Sequence, residues 1–337
     1  MRVEVNYDRA RRLGALIGEA VRAVRPDPFD DPRYYPPPDA PRRQVMSYFL
    51  VMVAMDHRLS RGRRQYEAYI GGELYHGADL LYRLGTKKLR EDPGFFEAER
   101  LAKVTEDDVR AWLTVKGDDG RVAFPPDAAV RAELLRDLGL KLLALFDGDP
   151  MNVILRSGGY LRRGVGEGFI DLLKAFKAYQ DPVEKKAFLL AKFIERRGVV
   201  RFQDPQNKEV PVDNHLTRIA LRTGIVEVDQ GTLARIARGI PFEPQEDVLL
   251  RLAVRMAYRV VAQEAGVDPF LMDDFLWAFG RKCCTFDSPS CVSGCRQGCS
   301  SVGGCSGTSC VLAPACKAFS DRTYMVPEHS YQETWWY

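Results

Sequence analysis

Cysteine is absent from the first 282 residues of this 337-residue chain, and all eight lie between positions 283 and 316. Thiols scattered through a core are therefore excluded, and the cysteines form one local device. Histidine is scarce, with four in the chain and none between the first and last cysteine. A metal site in that stretch must then rely on thiolates. No apolar run is long enough to span a bilayer: the longest, residues 48–55, is far too short. The first eight residues also lack the apolar stretch of an export signal, so the expected compartment is the cytoplasm, with no membrane partner. Charge of one sign is missing too. A net +3 permits a nucleic-acid partner without arguing for one. What remains, 46% apolar and 28% charged residues, is the balance of an ordinary globular chain with a sizeable core.

Read in order, the chain is mostly helical. Residues 6–25 form an amphipathic helix with Ala10, Leu13, Leu16, Ile17 and Val21 on one side. Seven prolines in residues 25–41 forbid helix and make an extended strap. An apolar helix over residues 43–58 ends in Asp56, His57 and Arg58, a polar cluster that either satisfies itself or walls a pocket. Gly71-Gly72 between alternating flanks predicts a β-hairpin, the only strand pair expected. His76 and Asp79 follow, three apart and on one face if the next helix has begun. Two helices are expected within residues 105–147, the second with a core face of Leu134, Leu135, Leu138, Leu142, Leu145 and Phe146. Residues 156–168 read as a glycine-rich loop. A helix is expected to open at Asp181 with Pro182 in its first turn, carrying Lys185 and Lys192 either as solvated lysines or as amines beside a pocket. In residues 244–263, Val248, Leu249, Leu252, Ala253, Met256 and Val260 are expected inward, and Arg251, Arg255 and Arg259 form a stripe for phosphates or solvent. Asp273, Asp274 and Trp277 belong to a helix over residues 269–280, where Trp277 packs in the core or stacks on a base.

The most informative stretch is residues 209–224. Pro211 sets an extended entry, Asp213 stands at the N-cap, Leu216, Ile219 and Ala220 recur at helical spacing, and Gly224 closes the helix. Asp213 is a cap, and nothing local requires more of it. Yet Val-Pro-Val-Asp-Asn-His-Leu-Thr-Arg resembles the Val-Asp segment of the helix-hairpin-helix DNA glycosylases, whose aspartate at this helix start is catalytic. The preceding helix, loop and Val-Asp segment are similar to the archaeal 8-oxoguanine glycosylase branch. That resemblance implies Lys185 as the amine of a bifunctional enzyme.

At the other end, Phe279-Gly-Arg-Lys-Cys-Cys284 resembles the junction at which endonuclease III passes into its iron-sulfur loop, and Cys284 and Cys291 reproduce the first ligand interval. The resemblance implies a four-iron four-sulfur cluster on Cys284, Cys291, Cys295 and Cys299. Zinc is the alternative for the same thiolates, and disulfides are not expected in a cytoplasmic chain. The aromatic end, residues 334–337, either docks on the core or binds a partner.

Several segments, Pro211 to Gly224 among them, also resemble in order the queuosine salvage proteins, helical N-glycosidases in which Asp213 again matches the catalytic aspartate. Both resemblances imply one chemistry. A carboxylate stabilises an oxocarbenium-like sugar while Asp56, His57, His76, Asp79, Asp274 and Trp277 contact the leaving base. The expected architecture is all-α with one small hairpin, DNA glycosylase-like, with residues 1–282 a helical domain and 283–337 a cysteine-rich metal loop. The expected molecule is a monomeric base-excision glycosylase acting on DNA. The alternatives are a nucleotide N-glycosidase of salvage and a non-catalytic metal-containing nucleic-acid-binding protein.

Overall fold

The computed structural model describes residues 1–61, 64–295, 297–331 and 334–337. It is mainly helical, with strands confined to two-stranded pairs and a cysteine-rich C-terminal segment. Compactness divides the chain into two units, one of Met1–Asp27 with Lys208–Glu333 and one of Pro28–Asn207 with Thr334–Tyr337. The boundary read at residue 282 is one of composition; the cysteine segment lies within the first unit.

In the first unit, Val3–Val5 pairs antiparallel with Val226–Val228, Val3 opposite Val228. This is one of the strand pairs that sequence alternation was too short to reveal. The Tyr7–Arg22 helix, capped by Asn6, packs along the Pro244–Ala265 helix. A Cβ on Gly14 would stand 2.7 Å from the Val261 carbonyl, so this crossing needs glycine. The Pro244–Ala265 helix turns a different face inward from the one expected. Leu250, Val254, Ala257, Tyr258 and Val261 are buried, whereas Leu249 and Met256 lie exposed. Apolar residues occur almost all round it, and the partner helices decide which are covered.

In the second unit, the buried Arg42–Met55 helix packs against Lys185–Arg196 and Ala128–Phe146. The proline strap has no helix or strand, and its carbonyls are collected by one side chain: Arg197 donates to Phe29 and Pro36 at 2.8 Å each and to Pro37 at 2.7 Å. The hairpin Glu67–Ile70 with Glu73–His76 forms as expected, Gly71 and Gly72 supplying the two positive φ values of a tight turn. Leu145 of the Ala128–Phe146 helix is exposed, against expectation, while Leu134, Leu135, Leu138, Leu142 and Phe146 are buried. The aromatic end docks within this unit. Trp335 donates from Nε1 to the Lys177 carbonyl at 3.0 Å, under the Lys177 ammonium at 4.8 Å.

Gly139 fixes the closest helix crossing of the second unit, since a Cβ there would lie 2.3 Å from the Ala102 nitrogen and 2.7 Å from the Ala98 carbonyl oxygen. Gly139→Ala is expected to lower stability by about 1–3 kcal/mol, because backbone cannot yield as a side-chain tip can. Urea denaturation checks this, and an unchanged midpoint would contradict the packing.

Candidate catalytic helix and thiol centre

The Asn214–Thr223 helix begins as the sequence implies. Asp213 has extended backbone, and its Oδ1 accepts from the Leu216 amide at 2.9 Å. The carboxylate is half-buried, and among the described residues none donates a hydrogen bond to its second oxygen, which leaves one edge open at the helix mouth. Behind it the helix is covered from Leu216 to Thr223, including two arginines. Arg218 donates to the carbonyls of Cys284 at 3.0 Å and Gly280 at 2.8 Å and pairs with Glu328. Burial holds its pKa below the ordinary arginine value. Arg222 donates to the carbonyls of Val326, Thr285 and Phe286 at 2.7–2.9 Å and to the Cys284 sulfur at 3.3 Å. Guanidinium groups this deep are tolerable only because carbonyls surround them.

Arg222 thereby reaches a space walled by Thr223, Phe279, Leu312 and Met325 and lined by Cys283, Cys284, Cys291, Cys310 and Cys316, the last four of these cysteines being unpaired. Those four cysteines are free thiols. Burial, followed by the neighbouring Cys284, raises Cys291 and lifts Cys316 to about 12, while burial lifts Cys310 to about 11. The remaining four are placed apart: Cys283 with Cys299 and Cys295 with Cys305 stand at disulfide distance, Cα–Cα 4.9 and 6.2 Å. The expected ligands Cys284, Cys291, Cys295 and Cys299 thus fall into two groups. Cys284 and Cys291 share the cavity with Cys310 and Cys316, not with Cys295 and Cys299. The stretch between Cys291 and Cys310 carries cysteines of its own, so spacing alone does not sort the thiols into groups. Disulfides were not expected, yet two pairs of sulfurs lie at that distance.

Four thiols around an apolar-walled space, one of them receiving an N–H from Arg222, suit an iron-sulfur cluster as a donor set. Sulfurs of a mononuclear site crowd closer than that. Among the described residues the tightly grouped thiols are Cys295, Cys299 and Cys305, and the four free ones are set wider.

The other expected site residues fall in different places. In the first unit, Arg251 is fully buried and paired with Asp247 at 3.1 Å, Asp247 being also 2.7 Å from His329. A solvent-facing arginine stripe is thereby excluded at its first member. Arg255 is half-buried, and Arg259 is exposed and pairs with Glu209. Trp277 is 38% exposed, with the Arg281 guanidinium 4.5 Å over its ring, and so is not core; Asp274 is half-buried one turn earlier.

In the second unit, His76 lies in the hairpin, its Nε2 against Gln65, and Asp79 lies in the first turn of the Ala78–Glu91 helix beyond Gly77. They share no helical face. The lysine helix starts at Lys185 and not at Asp181, whose carboxylate instead accepts from the amides of Val183 and Lys185 at 2.9 and 3.0 Å. Neither Lys185 nor Lys192 is solvated. Lys185 stands 3.8 Å from Asp56. Lys186, which sequence reasoning passed over, is completely buried, donating to the Ala54 carbonyl at 2.6 Å and reaching His57 Nδ1 at 3.3 Å. Its pKa is pushed well below the ordinary lysine value by burial and by Lys185. Its only signal in sequence was its place in the Lys-Lys doublet, and which of two neighbouring lysines turns inward is decided by the partner helices.

No family model matches the chain, and no curated protein matches it. Among solved structures, one similar chain is an 8-oxoguanine DNA glycosylase from Pyrobaculum aerophilum, complexed with 8-oxoguanosine, at 13% identity and a TM-score of 0.43, covering 90% of this chain and 98% of that one.

The His57 cluster generates a pH test. Burial, then Arg131, Lys186, Lys185 and Arg58, hold His57 well below its ordinary 6.5. Below that pH the unfolded chain takes up a proton that the folded chain refuses, so stability falls as the solution is acidified, by up to about 1.4 kcal/mol per pH unit. In His57→Gln this share of the acid loss is expected to vanish. Urea midpoints between pH 7.5 and 5.5 measure it, and identical slopes in both proteins would contradict the assignment.

Proposed function

We propose that the chain is an N-glycosidase, and most specifically a base-excision DNA glycosylase. Asp213 is its catalytic carboxylate, and an iron-sulfur cluster is held by Cys284, Cys291, Cys310 and Cys316. One observation carries the reading: a single helix presents a half-buried carboxylate with an uncommitted oxygen at its N-terminus, and its next turns are pinned by Arg218 and Arg222 to the segment of the four free thiols. The resemblance of the Val-Asp segment to helix-hairpin-helix glycosylases supports the same role for Asp213.

In the reaction the C1′–N bond breaks and its electron pair leaves with the base. Water supplies the new C1′–O bond, and its proton passes to Asp213 or to solvent. Positive charge grows on the sugar as the bond stretches, and a fixed carboxylate lowers that barrier without reorganising. An N-cap carboxylate spends one oxygen on an amide of the first turn, as Asp213 does, which leaves the other for substrate. The cluster, when bound, supplies a rigid thiolate cross-link to a segment poor in apolar residues.

Asp213→Asn is expected to lower base release from a duplex containing 8-oxoguanine by roughly 10²-fold or more with the fold intact. Undiminished release would remove Asp213 from the chemistry, and release from a free nucleoside monophosphate but not from duplex would move the substrate to the salvage class. Cys310→Ser is expected to lose visible charge-transfer absorption and bound iron, and full iron retention would exclude the proposed ligand set.

A further inference from the structure

The cysteines not used by the proposed cluster have a geometry of their own. Cys295, Cys299 and Cys305 hold their sulfurs all within 4.8 Å of one another, and the Cys299 and Cys305 sulfurs approach to 3.1 Å. Cys283 Sγ touches Cys299 Sγ from the other side. Four sulfurs thus form one continuous group, in which the short approach between Cys299 and Cys305 joins the two pairs. Two independent cross-links would gain nothing from that approach. A tetrahedral zinc with bonds of about 2.3 Å would need its sulfurs about 3.8 Å apart, so the four would spread from the contacts found here to take the ion.

The backbone is built around this group. The Pro269–Lys282 helix ends so that the amides of Cys283 and Cys284 both donate to the Phe279 carbonyl at 2.8 Å, which sends adjacent thiols into different groups. Cys283 and Cys299 are both buried. Gly304 closes over the group: its amide donates to the Cys299 carbonyl at 3.0 Å, and a Cβ there would fall 2.3 Å from Cys283 Sγ and 2.7 Å from Cys299 Sγ. The surroundings offer little else to hold them, since Phe286 and Val292 are exposed. A stretch so poor in apolar residues needs a staple.

The geometry points to a second metal centre, a mononuclear tetrathiolate site for zinc on Cys283, Cys295, Cys299 and Cys305, separate from the wider set of Cys284, Cys291, Cys310 and Cys316. Four thiols bind one divalent ion, form four metal–sulfur bonds, and release four protons to solvent, with no change in oxidation state. Cys283 becomes the fourth ligand by parting from Cys299 toward the ion. The site does not depend on glycosidase activity, and its test does not read activity.

The full-length protein, purified without oxygen and denatured in chelator with an alkylating agent and no reductant, is expected to carry eight alkyl adducts by mass spectrometry. Four adducts, with 283–299 and 295–305 peptides linked, would overturn the proposal in favour of two disulfides. In parallel, the double variant Cys295→Ser, Cys305→Ser is expected to contain about one equivalent less zinc per chain than wild type while keeping its iron. Zinc unchanged in that variant, or iron lost in place of zinc, would equally overturn it. Gly304→Ala, which leaves every thiol in place, is expected to weaken zinc retention against a competing chelator at least tenfold, and equal retention would contradict the cradle.

Discussion

Two guanidinium groups buried on one short helix are the constraint that organises the first unit. Arg218 and Arg222 are costly to remove from water, and they are stable there because the carbonyls of Gly280, Cys284, Thr285, Phe286 and Val326 converge on them. Those carbonyls belong to the end of the Pro269–Lys282 helix and to the segment after it. The same hydrogen bonds therefore fix the helix that begins at Asp213 and shape the start of the cysteine segment. A segment with few apolar residues can hold a defined path here because its backbone is read by two rigid, planar, multidentate side chains.

This arrangement links the thiol centre to the proposed chemistry by mechanical support. A carboxylate stabilises a developing cation best when it is already in place, and Asp213 is held by its own amide bond and by a helix that cannot shift without breaking several charge-assisted hydrogen bonds. The cysteine segment would then serve as the anchor of that helix. The second unit has its own buried polar centre, in which Lys186, His57 and Arg131 crowd together. Arg131 donates to the carbonyls of Met55 and His57 and is lowered to about 10 by burial. Several cations share one low-dielectric region, so a neutral Lys186 and a neutral His57 are the economical states.

Much of this was legible in the sequence where a local rule governs. The Asp213 cap, the Gly224 terminus, the Gly71-Gly72 turn and the proline strap are each set by a few neighbouring residues. The misreadings arise where distant packing decides. Arg251 looked like surface because its partner Asp247 is itself paired with His329, which lies far along the chain. The inner face of the Pro244–Ala265 helix could not be chosen from a sequence apolar on nearly every side. Cysteine pairing is the extreme case. The intervals after Cys284 and between Cys310 and Cys316 are ordinary, but nothing local says that the thiols between them belong to a different group.

The central claim is that Asp213 places a negative charge against a sugar as it becomes cationic, and a transition-state mimic reports on this without turnover. The measurement is the affinity of the protein for duplex DNA carrying a cationic azasugar, relative to the same duplex with a neutral abasic analogue. The wild type is expected to prefer the cation by roughly 10²-fold or more, and Asp213→Asn is expected to lose that preference while binding the neutral duplex equally well. Equal preference in the two proteins would show that the charge felt by the sugar comes from elsewhere.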